Sequence, residues 1–530
     1  MISEILAKIY IKKKPILAAE NKDFIKTNRD FWSGYSVKNG NHKILIEEPS
    51  IPEITHANGV FSIILNQAKS FTPIWLHSNG CEIELLKSYV PTAEYLKMPL
   101  SSINKLKLFF VALNEFLTIY KTKDILSFSY DDVRYGDIVY DTYLATFKVA
   151  TIKKIDLNLI PIIYFCICRH EGIQKILNQG NFEAVLVSHT IGINSGVMLR
   201  TALHYGYKGY HHQRILRYLK KPDDVYEYPF KPYPKVVNDI ISNLGPDFNM
   251  AYKEVFDGHV SGKGNPDAIY AFSKDNRLYM DKKSFCNDYG LDANKKNVFV
   301  MLHAFTDHPH SHFRWMIFKD YYDWFIKTLE FAKTDNTINW IFKQHPSIKF
   351  YPTKDVTFEK LFANCPQNIV YLSKKNQIDT RSVGCLADLI VTCIGSAGYE
   401  LPAMSGIPSL IAGDTFYNGL GFTLEPNTKK EYFDFLRDAH NVNKLSPEQQ
   451  KRARAAYIYI NDLLDLNLPT CPIISHEESS DSNANIWYWK KIEVLYDNNG
   501  RIIRGGLHRF IDDVAKLDFK KFNNHLKYLK

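Results

Sequence analysis

The chain has 530 residues, 45% of them hydrophobic and 23% charged. This is a globular composition and excludes a disordered chain, and the length exceeds one ordinary core, so two or three domains are expected. A formal net charge of +9 suits anionic partners such as nucleotides, acidic glycans or a phospholipid surface. No basic-aromatic motif gathers that charge, so no nucleic-acid partner is expected.

The opening "MISEILAKIYIKKKPIL" has neither a long apolar core nor a small-residue cleavage site, which argues against a secretory signal. Its mixed apolar and basic positions suit either a membrane surface or an ordinary first helix. Up to about residue 120, short strand-like runs ("HKILIEE", "VFSIILN", "PIWLHS") alternate with polar breaks, before "INKLKLFFVALNEFLTIY" repeats apolar residues at helical spacing. The stretch "ILSFSYDDVRYGDIVYDTYLATF" leads into a helix expected to run to about 155. The apolar run "LIPIIYFCIC" is too short to span a bilayer. Its Cys166 and Cys168 are the only close pair among eight scattered cysteines, which predicts structural thiols in a reducing cytoplasm. "FEAVLVSHT" reads as a buried strand ending at Ser188 and His189, and "GVMLRTALHYG" as a helix closed by Gly206. Together they form a strand-turn-helix unit.

The polar stretch 272–297 suggests a domain boundary. From "VFVMLHAF" onward, strands 298–304, 338–343, "NIVYLS", "LADLIVTCIG" and "PSLIAG" alternate with helices, one of them expected over about 316–333. Such alternation predicts a parallel sheet. The expected organisation is therefore α/β with two Rossmann-like domains facing an interdomain cleft. Residues 1–285 would form an acceptor-binding domain and 286–440 a donor-nucleotide-binding domain. Residues 441–530 would be a helical or irregular segment packing back on both, with a polar loop at 475–485.

Ligands of parallel sheets bind beyond the carboxyl ends of the strands. The chain places Ser188-His189, Asp307, Lys343-His345 and Gly395-Ser396 at four such ends. Gly395, Ser396, Ala397 and Gly398 are small and open a helix, so a phosphate can approach backbone N–H groups and the helix dipole. Ser396 as an N-cap and Glu400 as a dipole partner explain the same residues without a ligand. Lys343 and His345 share a strand face and both suit a phosphate, while Pro346 fixes the turn. Asp307 lies in "HAFTDHPHSHF" as a carboxylate nucleophile or base, or as an ordinary turn residue. The four histidines of that loop lack metal-ligand spacing, and no metal or other cofactor is expected. His189 is a candidate acid/base group, with a structural role equally open. Asp137 and Asp141 share a helical face if that segment is helical. With Arg200 they are candidate acceptor contacts.

The segment "HPS" followed by "GSAGYELPAMSGIPSLIAGDTFYNGLGFT" resembles the C-terminal half of bacterial capsule-polysaccharide Kdo transferases, which are GT-B glycosyltransferases. Lys343 with His345-Pro346 matches that family's Lys-x-His-Pro, and Ser396 with Glu400 its Ser-x-x-x-x-Glu. Gly406 and Pro408 match its Gly-x-Pro. Phe416, Tyr417, Gly419, Gly421 and Thr423 match its aromatic-glycine motif, with Leu420 where Trp is usual. Asp307 stands where that family's catalytic Asp would, but the residues after it depart from the pattern. The resemblance implies transfer of a 3-deoxy-ulosonic acid such as Kdo from a CMP-sugar to a glycan or glycolipid acceptor, with retention. It implies Asp307 as nucleophile, and work in the cytoplasm or at the inner face of the membrane. A UDP-sugar transferase or UDP-GlcNAc 2-epimerase-like enzyme, and a non-catalytic glycan-binding assembly protein, are the alternatives.

Overall fold

A computed structural model of the chain describes residues 22–38, 40–76, 83–213, 215–228, 231–261, 271–272, 276–311, 315–346, 348–373, 378–463, 471–472, 487–496, 508, 511–512 and 514–516. The N-terminal basic-apolar segment and the polar tract 475–485 lie outside the described residues. The chain divides into two compact units. Residues up to 146, 153–227 and the described part of 466–523 form unit 1; residues 147–152 and 228–465 form unit 2.

Unit 1 is built on β1 (Lys43–Ile46), β2 (Thr72–Leu76), β3 (Glu94–Leu96), the small hairpin β4 (Ser129–Tyr130) and β5 (Val133–Arg134), β6 (Phe182–Val187), β7 (Lys208–Gln213) and β8 (Ile215–Leu219). Its main sheet has the order β3-β2-β1-β6-β7-β8. All pairs are parallel except β7 with β8. Strand order reverses at β1 and β6, so the crevice beyond their carboxyl ends is the position where such sheets bind ligands. The stretch "VFSIILN", expected as a strand, lies inside the helix Pro52–Lys69. Val60 through Asn66 are all buried there, and a helix apolar all round shows no period that separates it from a buried strand. The helix expected to reach about 155 ends at Phe147, where Lys148 takes a φ of 56°. The run "LIPIIYFCIC" opens the helix Leu159–Gln179. Among the described residues no helix is long and apolar enough to cross a membrane.

Unit 2 contains β9 (Asn297–Met301), β10 (Asn339–Lys343), β11 (Ile369–Leu372), β12 (Leu389–Thr392), β13 (Ser409–Ile411) and β14 (Thr423–Leu424). They form one sheet in the order β11-β10-β9-β12-β13-β14, every pair parallel. Its reversal lies at β9 and β12. Val298, Val300, Trp340, Phe342, Leu389 and Val391 are fully buried, as expected of strands covered on both faces. The two α/β sheets, parallel except for β7 with β8, bear out the expected fold class.

Three boundaries differ from the sequence reading. The chain passes between units at 146–147, 152–153 and 227–228, all well before the polar stretch 272–297. That stretch is polar because it holds an exposed helix, Lys282–Tyr289, capped by Asp281. Residues 441–465 stay with unit 2, where the helix Pro447–Ile458 packs on Ala397–Ser405. The segment 487–496 packs on the unit 1 core rather than across both units.

Candidate functional site

The carboxyl ends of β9, β10 and β12 meet in a cavity of about 130 Å³ at the unit 2 reversal. Met301 to His303, Lys343 to Pro346, Thr392 and Gly395 to Ala397 line it, with His259, Phe272, Thr380 and Glu400. Complete small-molecule sites usually hold about 300–1,000 Å³, so this cavity fits the charged end of a ligand better than a whole sugar nucleotide.

Lys343 closes β10. The Leu302 N–H donates to its carbonyl (3.0 Å) and the next amide, Gln344, donates to Leu372 (3.0 Å), so its backbone is fixed on both sides. The side chain is 2% exposed. Burial pushes its pKa from 10.5 down to about 8, and the nearby Asp379 carboxylate opposes the drop. Asp379 is itself occupied by a bidentate contact with Arg381, at 2.9 and 2.7 Å. A buried ammonium with so little compensation is costly. Gln344, His345 and Pro346 follow Lys343 into the cavity wall.

The turn after β12 is held from within. The Ile394 N–H donates to His303 Nε2 (3.2 Å) and the Gly395 N–H donates to Thr392 Oγ1 (3.2 Å). The His303 ring stacks on Tyr321 at 4.3 Å. Accepting at Nε2 places the ring proton on Nδ1, and burial, with His345 nearby, holds the pKa down at about 3. His303 is therefore a neutral member of the wall. The Gly398 N–H returns to the Gly395 carbonyl (3.0 Å), and both Tyr399 and Glu400 donate to Ser396. Of the amides expected to face an anion, those of Ser396 and Ala397, at the start of the helix Ala397–Ser405, have no backbone partner among the described residues. Glu400 sits one turn in, its Oε1 3.9 Å from His259 Nε2.

Tyr417 underpins this turn. It is fully buried, and its hydroxyl donates to the Gly395 carbonyl (2.6 Å). Gly419 and Gly421, at φ 79° and 85°, let the chain double back below it in a conformation most residues resist. A Cβ on Gly398 would stand 2.2 Å from the Tyr417 hydroxyl oxygen. Gly398→Ala is expected to destabilise the protein by about 1–3 kcal/mol, the usual cost of overpacking. Urea unfolding measures the loss.

Asp307 follows β9 by six residues, half-buried, with its N–H donating to Ala304 (3.0 Å). It is not among the residues lining the cavity. His308 beside it holds a φ of 47°, a conformation uncommon for histidine. Among the described residues, no three His, Cys, Asp or Glu side chains converge as a metal site would.

His189 stands at the unit 1 reversal. Its Nδ1 is 2.8 Å from Ser188 Oγ. Burial lowers its pKa, and the Glu47 charge opposes this. Glu47 accepts from the Ser188 N–H (2.7 Å) and Asn58 Nδ2 (3.0 Å). The sequence reading expects Asp137 and Arg200 as acceptor contacts, but each neutralises the other. Arg200 Nη1 and Nη2 donate to the two Asp137 oxygens, both at 2.7 Å, and neither residue is more than 2% exposed. Asp141 is fully buried as well. An acceptor cannot touch these three groups while the helix Gly136–Phe147 stays packed.

The sequence reading missed His259, His303, Thr380 and Thr392 as cavity residues. The sequence reading weighs His303 only as a metal ligand, although its place just past a strand carries a signal. Asp379-Thr380 reads as a helix start and gives no hint of a ligand. His259 comes from the helix Phe248–Val260, too distant in sequence for any spacing argument.

No protein-family model matches the chain, and no curated protein matches it. Solved structures that align with it include a protein assigned as a UDP-N-acetylglucosamine 2-epimerase from Listeria monocytogenes. That pair shares 11% identity over 81% of this chain and 96% of that one, at a TM-score of 0.27. The glycosyltransferase SnogD from Streptomyces nogalater aligns at 11% identity over 79% and 94%, with a TM-score of 0.23. The wall teichoic acid polymerase TagF aligns at 12% identity over 98% and 97%, with a TM-score of 0.17. Scores this low fix neither fold nor activity, and the architecture rests on the strands described above.

Proposed function

We propose that the chain is a nucleotide-sugar-dependent glycosyltransferase of the GT-B kind, whose unit 2 cavity holds the donor's phosphate. Lys343 carries this proposal: a buried cation at a sheet reversal, with its nearest counter-charge already bound to Arg381. A phosphate there meets the ammonium, the Ser396 and Ala397 amides and the positive end of their helix. His345 and Gln344 lie within reach of its oxygens. Glu400 is positioned to accept hydrogen bonds from ribose hydroxyls.

The resemblance in the 343–346 and 395–423 segments favours a CMP-activated 3-deoxy-ulosonic acid as donor and a surface glycan or glycolipid as acceptor. The bond from the anomeric carbon to the phosphate oxygen breaks, and the electron pair leaves with CMP. Charge growing on that phosphate is what Lys343 and the helix end stabilise. For a retaining reaction, Asp307 attacks the anomeric carbon, and the acceptor hydroxyl then displaces the carboxylate while losing its proton to a base. The anomeric carbon lies beyond the phosphate, so the nucleophile need not line the phosphate cavity. His189, just past β6 in unit 1, is kept as a proposed acid/base group.

Calorimetry with CMP and UDP tests the donor, and CMP release from CMP-Kdo tests the reaction. CMP should bind and UDP should not. Asp307→Ala should leave CMP binding intact and abolish transfer. Tight UDP binding without CMP binding overturns the donor, and undiminished transfer by Asp307→Ala removes the nucleophile.

A further inference from the structure

The helix Ser102–Thr122 of unit 1 is apolar on two faces. Leu108, Ala112, Phe116 and Ile119 are buried. Leu106, Phe110, Leu117 and Tyr120 point the other way, at 60%, 60%, 45% and 49% exposure, and half-buried Leu113 completes the row. The row advances by 4, 3, 4 and 3 residues, which keeps its members on one stripe about 21 Å long. A helix apolar on both faces is normally enclosed on both. Here, among the described residues, nothing covers the second face.

Charge around the stripe is of one sign. Lys105 and Lys107 flank its start, Lys121 and Lys123 its end, and all four are exposed. The Lys123 ammonium lies 3.7 Å over the Tyr120 ring. Glu115 points to the opposite side of the helix and is half-buried, so the stripe carries no carboxylate. Asp124 just past the cap accepts from the Ser127 N–H (3.2 Å).

We propose that this face docks on an anionic lipid surface, with Leu106, Phe110, Leu117 and Tyr120 in the acyl boundary and the lysines on headgroup phosphates. Lysines beside an apolar stripe can sink their stems while keeping their charge at the interface. Tyr is favoured at the same depth. A second copy of the chain fits less well, because pairing the stripes sets the lysine clusters against their like. The inference concerns unit 1 alone and does not depend on the donor assigned to unit 2.

Vesicle flotation of the full chain tests it, with phosphatidylcholine vesicles made with and without phosphatidylglycerol. Binding is expected only with phosphatidylglycerol and should weaken as salt rises. Replacing Leu106, Phe110 and Leu117 together by Gln should lower partitioning about tenfold or more, with circular dichroism and CMP binding unchanged. If that variant misfolds, Lys105→Glu with Lys107→Glu and Lys121→Glu gives the same readout without touching apolar surface. Absence of binding to the anionic vesicles overturns the proposal, as does equal binding by both variants. A dimer in sedimentation that the Gln replacements dissolve also overturns it, by assigning the face to a second copy.

Discussion

Replacing Lys343 by Met is expected to weaken CMP binding strongly while making the ligand-free protein harder to unfold. The two effects have one cause. Burial pushes the Lys343 pKa from its ordinary 10.5 to about 8, and a gap of that size corresponds to roughly 3 kcal/mol at neutral pH. Because the folded pKa is below the unfolded one, the ammonium is a burden on the free protein at pH 7. Stability rises as pH climbs through about 8 toward 10.5, where the unfolded chain still binds a proton that the native state has released. Met keeps the stem in place and removes the charge, so the urea midpoint should increase. The same change should weaken CMP by about 100-fold or more, the usual loss when one partner of a buried charge pair is truncated. A phosphate raises the Lys343 pKa, so wild-type affinity should be level between about pH 7 and 8, above the phosphate's own second pKa of about 6, and fall by up to about tenfold per pH unit above 8. Titration calorimetry across that range checks the profile. A Met variant that binds CMP like wild type would remove the anion site from unit 2.

Asp137→Ala should cost about 3–5 kcal/mol in folding stability, the largest expected loss of fold from any single side chain considered above. Arg200 is enclosed with Asp137, and its Nη1 also donates to the Arg134 carbonyl (2.9 Å). Its guanidinium lies 5.0 Å from the Tyr226 ring. Removing the carboxylate leaves that cation without a counter-charge. Burial by itself would raise the Asp137 pKa, but the Arg200 charge and hydrogen bonds, with the Ile138 amide, outweigh it and hold it below the ordinary value. A depressed carboxylate pKa stabilises at pH values above the unfolded value of about 3.9. That contribution disappears as pH falls through the folded pKa, so wild type should lose the advantage in acid and the variant should not. Removing Arg200 as well, as Asp137→Leu with Arg200→Met, should recover most of the loss. Urea unfolding of the three proteins from pH 7 down to 3 measures each arm. If Asp137→Ala unfolds like wild type yet fails to use acceptor, the ion pair returns to acceptor recognition.

Much of unit 2 was legible because its signals are local. Alternating apolar runs and helix starts located β9 to β13, and the Lys-x-His and Gly-Ser segments fell at strand ends, where position alone raised their interest. Lys343 and Glu400 line one cavity because the reversal at β9 and β12 brings the ends of separate strands together. His303 and His259 entered the same wall through tertiary packing, which no window of sequence displays. Asp137 and Asp141 misled for a related reason. Carboxylates grouped on a helix look solvated until a distant arginine is found inside, and Arg200 is 63 residues from Asp137. The helix Pro52–Lys69 was missed because complete burial erases the periodicity by which helices are recognised.

The route of the chain through unit 1 has a consequence for synthesis. Phe31 stacks on Tyr496 at 3.8 Å, Phe24 meets Trp489 at 4.4 Å, and the Tyr496 hydroxyl donates to Asn28 Oδ1 (3.1 Å). The first described helix thus waits for a segment made more than four hundred residues later. On a ribosome that builds from the N-terminus, the strands of unit 2 are all available before the aromatic lid of unit 1 emerges. A nascent chain released before Trp489 carries an open apolar seam, a natural handle for chaperones and proteases.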